Sequence, residues 1–422
     1  MSGESSGHAD PAVGGQCTPM TDAAAPLLRD PDFRRLWAAG LITYFVRWLE
    51  VLVVGVFTYE RTGSAFAVAG MLMLRLLPLG LLGVAFGALA ARIPGRTGVL
   101  GMLGVQSVAA LALLVAAATG RLEVWHVAVA SVLGGIVWAA DNPIRRAMVG
   151  ELAGTARMAR AMALDVGASN ACKLAGPAAG GLLLANGGMA GVLGPVVLLY
   201  AVAIVAVLKV RPRPRVAVAG APVGVLATIV DGLAMVRERP GLAGALWVTV
   251  LFNLFGWPVL SMVPVIGRDR LGLGPDGVGL LASADGLGTL IGAVALAALT
   301  RPPPQGRAYV VGIVTFFLMV AAFAACTDVR WAAAALFVSG LGQAAFAVMQ
   351  ATLVFGAAPP ERRTQAMGLL TMAIGTAPLG FLALGATAEQ LGAPMAAAAS
   401  CAAGLLVLAT TRRWWRVCWD AR

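Results

Sequence analysis

Seven ionisable residues, Arg47, Glu50, Arg75, Asp141, Asp165, Lys173 and Asp285, interrupt or border runs otherwise apolar enough to cross a membrane. An ionised group in hydrocarbon is expensive, so each must face a bundle interior, a counter-charge or a wet cavity. The chemistry open to them is ion pairing, proton uptake and release, and the holding of a polar substrate. Burial favours the neutral form of a carboxylate and a nearby cation favours the charged form. An acid that alternates between such surroundings can carry a proton, and the candidates, in order, are Asp165, Glu50 and Asp285.

The spacing leaves several pairings open. Arg47 and Glu50 stand three apart, close enough on a helix to neutralise each other. Arg75 is an alternative partner for Glu50, or a holder of an anionic substrate group. Asp165 and Lys173 lie eight apart, too far along one helix for an adjacent pair, so each is expected to find its partner on another helix. Asp285 sits in SADGLGTLIGA, among glycines that permit close helix contact. Arg47, Arg75, Asn170, Lys173, Asn253, Gln343 and Gln350 are candidates to line a substrate cavity, with Trp48, Trp138 and Trp257 as ring surfaces. The competing reading for all of these is ordinary pairing and packing. Gly176-Pro177 followed by Gly180-Gly181 removes side chains and one backbone donor, which favours bending and close approach within the same charged stretch.

Other chemistries find little material. The only histidines are His8 and His126, and the five cysteines, Cys17, Cys172, Cys326, Cys401 and Cys418, show no metal or disulfide spacing. A metal site, a cofactor and a membrane-embedded enzyme are therefore not expected. No phosphate-cradling Gly-Lys-Ser/Thr motif is present, which argues against built-in ATP hydrolysis.

The elements that must position these groups are membrane spans. The chain has 422 residues, 59% hydrophobic and 12% charged, against about a quarter charged in soluble proteins, and its mean hydropathy is +0.85. The lipid bilayer is thus a partner. A net charge of +11 could suggest nucleic acid, but the basic residues sit in gaps between apolar runs and are not interleaved with aromatics, which excludes that partner and points to topology.

Residues 1–30, rich in Gly, Ser, Pro and Asp, are expected to be a disordered cytoplasmic tail without a signal peptide. Twelve spans follow, at about 36–59, 65–91, 97–119, 122–143, 158–185, 189–208, 241–266, 277–300, 309–326, 331–356, 365–388 and 394–410. These give an all-α polytopic membrane protein with halves at 31–208 and 241–411. The gap at 209–240 opens with the stiff KVRPRPR and continues with Val223, Leu226, Val230, Leu233 and Val236 on one helical face, an amphipathic helix expected on the cytoplasmic surface. A basic cytoplasmic tail closes the chain at 412–422. Alternating the loops places 23 Lys and Arg on the side of both termini, 5 on the other and three inside spans, so both termini are expected in the cytoplasm of a multi-pass cell-membrane protein.

The halves echo each other. Arg157 with AMAL at 161–164 matches Arg362 with AMGL at 366–369, and Arg92 with Pro94 matches Arg301 with Pro303. Parallel six-span repeats place a substrate site near the midplane between the halves. The phase slips later by about one helical turn, because Pro177 lies 15 residues after Met162 but Pro378 only 11 after Met367.

LLRDPDFRRLW, GALAARIPGR, DNPIRRAMVGEL, NACKLAGPAAGG, ERPGLAGALWVTVLFNLFGWPVLSMVPVIGRDRLGLG and PPERRTQAMGLL occur in that order. Together they resemble the major facilitator superfamily, in its drug-exporter branch of enterobactin-exporter-like and macrolide-efflux-like proteins, over about residues 27–411. The resemblance implies two six-helix halves that rock about a central site, and the GP-x-x-GG element resembles the bending motif of proton-driven exporters. The loop after span two resembles the superfamily's Gly-x-Leu-Ala-Asp-Arg signature, but Ala91 stands at its acidic position. Asp141-Asn-Pro-Ile-Arg145-Arg146 is expected at the wetted cytoplasmic end of span four, as a cap and anchor or as a gate. Arg92, Asp141, Arg145 and Arg146 are the candidates for that gate. The expected function is export of an amphipathic small molecule by a monomer in exchange for protons. An uptake permease or uniporter is the alternative within transport, and a non-transporting sensor or scaffold the alternative outside it.

Overall fold

The computed structural model describes residues 27–90, 93–154, 157–212, 232, 234–299, 304–359 and 362–419. Spans one to four are the helices Pro31–Thr62, Ala65–Ala90, Gly95–Ala118 and Val124–Ala153. Span one starts where the Asp30 carboxylate accepts from the backbone N–H of Asp32 at 2.9 Å, with Pro31 in the first turn, where its missing donor costs nothing. It ends at Gly63, whose left-handed φ of 65° closes the helix through an N–H bond to Tyr59.

Spans five and six lie in one 51-residue stretch, Met158–Leu208. A straight helix of that length would reach roughly 75 Å, well beyond a bilayer of about 40 Å. Gly188, at φ 57° and ψ −159°, breaks it near the middle. Span seven, Pro240–Asp269, is irregular: a π turn at Phe252–Gly256 passes into a 3-10 turn at Trp257–Met262. Pro258 withholds a backbone donor there, and the Ser400 hydroxyl donates to the Phe255 carbonyl at 2.9 Å. Spans eight, nine and ten are Pro275–Ala298, Gln305–Ala325 and Val329–Ala357. Span eleven is made of Arg363–Ile374 and Ala377–Leu391, interrupted at Gly375 and Thr376, and span twelve is Ala393–Thr410. Eleven helices are long and apolar enough to cross a membrane, and the break at Gly188 makes them twelve crossings among the described residues. The interruption in span eleven falls just before Pro378, where the internal repeat loses its phase.

Two large apolar cores follow the halves. One draws on spans one and three to six, with Val278 of span eight packed into it. The other is built from spans seven to twelve and the residues after them, with Ala65, Val68 and Ala69 of span two. The contact between halves is close where glycines remove side chains. A Cβ on Gly181 would stand 2.4 Å from the Pro275 carbonyl oxygen, and one on Gly286 would stand 2.6 Å from that of Lys173.

Two expectations change, and a third falls outside the described residues. Span four does not end at Pro143 but continues to Ala153, because a proline deletes a single donor and the charges beyond it are neutralised inside the bundle. Residues 412–419 form a helix, Arg412–Trp419, with Trp415 and Cys418 buried; a Cβ on Gly244 would stand 2.7 Å from Cys418 Sγ, so the segment is packed onto span seven. The amphipathic face expected at 223–236 lies, except for Val236, outside the described residues, as do Arg92 and residues 1–26.

Candidate functional site: a cavity between the halves and two ion clusters beside it

The charges of the first six spans form two clusters. Arg145, 1% exposed, is the centre of one. Its Nε donates to Asp141 Oδ1 at 2.8 Å, its Nη1 to Asp165 Oδ1 at 2.5 Å, and its Nη2 to the Tyr44 hydroxyl. Arg47 Nη2 donates to Asp141 Oδ2 at 3.3 Å, the Tyr44 hydroxyl donates to Asp165 Oδ2 at 3.0 Å, and Arg146 Nε lies 3.5 Å from that oxygen. Spans one, four and five are tied together by this cluster. Gly40 makes room for it, since a Cβ there would stand 2.7 Å from Arg145 Nη1. Asp141 and Arg145 are therefore buried and not at a wetted helix end, and of the expected gate residues among the described ones only Arg146 is exposed. Charge density beside a proline reads as a loop in sequence; counter-charges on neighbouring spans are what bury it.

The second cluster is a pair. Arg75 Nη2 donates to Glu50 Oε2 at 2.8 Å. Glu50 therefore pairs with span two and Arg47 with span four, and their mutual pairing along span one is not formed. Neither Glu50 nor Arg75 reaches the space between the halves. They line a small chamber inside the first six spans with Gln106 and Ser131, which corrects the expectation of Arg75 as a substrate-cavity residue.

Between the halves lies a cavity of about 320 Å³. Asn170, Lys173, Asn253, Gln343 and Gln350 line it, with Trp48, Trp138 and Trp257, as their residue types suggested. Arg47 stands behind this wall, its guanidinium 4.7 Å from the centre of the Trp138 ring. Lys173 Nζ lies 2.6 Å from Asp285 Oδ2 and donates to Thr289 Oγ1 at 3.1 Å and to Gln343 Oε1. Ser339 Oγ reaches Asp285 Oδ1 at 3.4 Å. Each member of the Asp165 and Lys173 couple has thus found its partner on another span. Two of the lining amides already have protein partners: Gln350 Nε2 donates to Thr249 Oγ1 at 3.0 Å and Asn253 Nδ2 to the Thr249 carbonyl at 2.8 Å.

A second space of about 80 Å³ adjoins the cavity toward the face that carries the loops after odd-numbered spans. Lys173, Trp48, Val51, Leu72, Leu260 and Ser261 line both spaces. The Lys173–Asp285 pair therefore stands between them. At the odd-loop rim the halves meet again. Arg268 pairs with Glu60, Tyr59 donates to Asp269, and Ser64 Oγ donates to Glu389 Oε2 at 3.1 Å.

Several lining residues were not anticipated: Thr289, Ser261, Phe252 and Phe346. Tyr44 of the Arg145 cluster was missed too. Thr289 lies one turn after Asp285 and Tyr44 one turn before Arg47, so the helical spacing that marked the charges also marks them. Glycines 176, 180 and 181 all stand at close contacts; a Cβ on Gly176 would lie 2.8 Å from Trp48 Cβ, and one on Gly180 3.1 Å from the Leu49 carbonyl oxygen.

A family model described as transmembrane secretion effector matches residues 21–420. The macrolide efflux protein A of Streptococcus pyogenes is 24% identical over 269 residues, covering 63% of this chain and 65% of that protein's own length. Among solved structures, a POT family transporter in complex with 5-aminolevulinic acid has a TM-score of 0.74 at 12% identity, covering 92% of this chain and 96% of that one. The nucleoside transporter NupG has a TM-score of 0.74 at 11% identity, covering 91% and 100%. A bacterial homolog of the human lysosomal transporter Spinster, inward-facing and occupied, has a TM-score of 0.71 at 15% identity, covering 94% and 97%. At these identities the structures speak for the fold alone.

Proposed function

The chain belongs to the transmembrane secretion effector family of major facilitator transporters, and from that membership we propose that it exports an amphipathic small molecule in exchange for protons. An antibiotic of macrolide-like size, a siderophore or another secondary metabolite is the class of cargo. The observation that carries this reading is the cavity between the halves, walled by tryptophans and side-chain amides and bounded by the Lys173–Asp285 pair. Rings give an amphipathic molecule an apolar surface, and the few polar groups orient it.

The proposed cycle is alternating access. On the charge asymmetry we take the odd-loop face as the outer one, so a molecule leaving the cavity outward must part Lys173 from Asp285 and then separate Glu60 from Arg268. A charged or polar group on the cargo can replace one partner of the inner pair, so that neither charge is left alone in low dielectric. Three acids are available for protons. Asp165 is held by two arginines and a tyrosine, whereas Asp285 and Glu50 each face one cation. An acid with fewer cations around it gives up less on protonation, which favours Asp285 and Glu50 over Asp165 as the coupling groups.

The test is transport in vesicles carrying the purified full chain, with an imposed proton gradient and a panel of amphipathic antibiotics beginning with erythromycin. Accumulation that requires the gradient and moves cargo toward the odd-loop side is expected. Movement that ignores the gradient across the whole panel, or that runs only inward, would overturn the reading.

A further inference from the structure

The chamber that holds Glu50 has no lining residue in common with the cavity between the halves. It measures about 30 Å³, room for about two waters. Its walls come from spans one, two, three, four and six. Glu50, Arg75, Gln106 and Ser131 supply polar groups near mid-span, while Val127 and Met189 line it where spans four and six begin, at the odd-loop face. Arg75 is 4% exposed, and its Nε has no hydrogen-bond partner among the described residues. A buried guanidinium donor without an acceptor is costly, and such a group beside a polar space calls for water.

We infer that this chamber is a hydrated proton site at Glu50, separate from the substrate route, and that its proton comes from the odd-loop face when the apolar cluster of Phe57, Leu122, Val127 and Met189, which closes the chamber on that side, loosens. The inference rests on the exporter reading and adds to it where the proton travels. A proton arriving through the chamber binds a Glu50 carboxylate oxygen, forming one O–H bond and discharging the acceptor of Arg75, and it leaves by the same bond when Glu50 deprotonates. The charged and titratable groups around Glu50 are Arg75 on span two, Arg47 on its own span, Asp141 on span four and Tyr200 on span six, whose hydroxyl accepts from Gln106 Nε2 at 3.2 Å. Trp48 and Val51, which flank Glu50 in sequence, line the substrate cavity. Span one therefore shows one face to the proton and another to the cargo. Protonation loosens the tie between spans one and two, and that motion is delivered to the cavity wall without contact between the two ligands.

The chamber is tested on the full chain in oriented vesicles with dicyclohexylcarbodiimide, an apolar reagent that modifies protonated membrane carboxyls, by locating the adduct in peptides. Glu50 should be modified faster as the pH on the odd-loop side falls. Ala110→Leu, which fills the chamber, and Ser131→Ala, which removes a polar wall group without adding bulk, should each lose that dependence. Glu50 responding only to pH on the terminal side, or an unaltered response in a folded Ala110→Leu or Ser131→Ala protein, would each overturn the inference. Because the labelling needs no transport, a failure of the exporter reading leaves this result intact and is recognised separately.

Discussion

Lys173 and Asp285 illustrate how a charge survives inside this bundle. The 2.6 Å pair is completed by Thr289, Gln343 and Ser339, so most polar atoms around it are satisfied. Removing one member leaves the other buried and alone, which typically costs about 3–5 kcal/mol, whereas replacing both is far milder. Asp285→Asn should therefore lower the unfolding temperature of the detergent-purified protein sharply, and adding Lys173→Gln should restore most of the loss. An equally unstable double variant would show that the pair is not the source. Tyr44 acts differently. Its hydroxyl stands between Arg145 and Asp165, and Tyr44→Phe should cost about 1–3 kcal/mol by stranding those charges without changing the shape of the core. Denaturant titration reads that value, and a loss near zero would mean that Arg145 and Asp165 need no third partner.

At the level of single elements, glycine decides where spans can touch. Gly181 meets Pro275 and Gly279 of span eight backbone to backbone, whereas Gly180 faces Leu49 and Val53 of span one. Gly181→Leu has no flexible side chain to push aside, so the halves cannot close at that level. The variant should insert and purify but fail to transport, and full transport would show that the contact is incidental. The tail helix Arg412–Trp419 offers a second check. Burial pushes the Cys418 thiol up to about 11 from the usual 9.0, so at neutral pH it remains a thiol and not the reactive thiolate. Alkylation of Cys418 should be slow at neutral pH, rise only in strong alkali, and quicken when Trp415→Ala loosens the helix. Rapid labelling of the parent protein would place the segment away from span seven.

For the molecule as a whole, the contacts between halves run from the odd-loop rim to the level of Lys173, with Gly80 of span two against Gly375 of span eleven as a further meeting point. A cysteine pair at Ser64 and Glu389, oxidised in vesicles, should hold that rim shut and stop transport until it is reduced. Unimpaired transport by the cross-linked protein would exclude separation of the rim as part of the cycle. Reporter fusions after Arg215 and at the C-terminus should both report the cytoplasm; an external signal from either would break the proposed orientation.

How much of this could be read without coordinates follows from the range of the forces involved. Span number, the division into halves and the residues of the central cavity were legible, because hydropathy is additive along the chain and a polar side chain in an apolar run must face the interior wherever it lies. Asn170, Lys173, Asn253, Gln343 and Gln350 were recognisable from type and position alone, whereas Ser261 and Thr289, whose small hydroxyls are common in any span, were not. Which charge meets which was not legible. Glu50 could have met Arg47 or Arg75, and Asp165 had no visible partner, because pairing depends on the rotation of each helix and on neighbours far away in sequence. Tertiary structure alone turned DNPIRR from a wetted helix end into the centre of a buried ion cluster. It also separated Glu50 and Arg75 from the cavity, because successive residues of a helix point about 100° apart around its axis, and only packing decides what each direction meets.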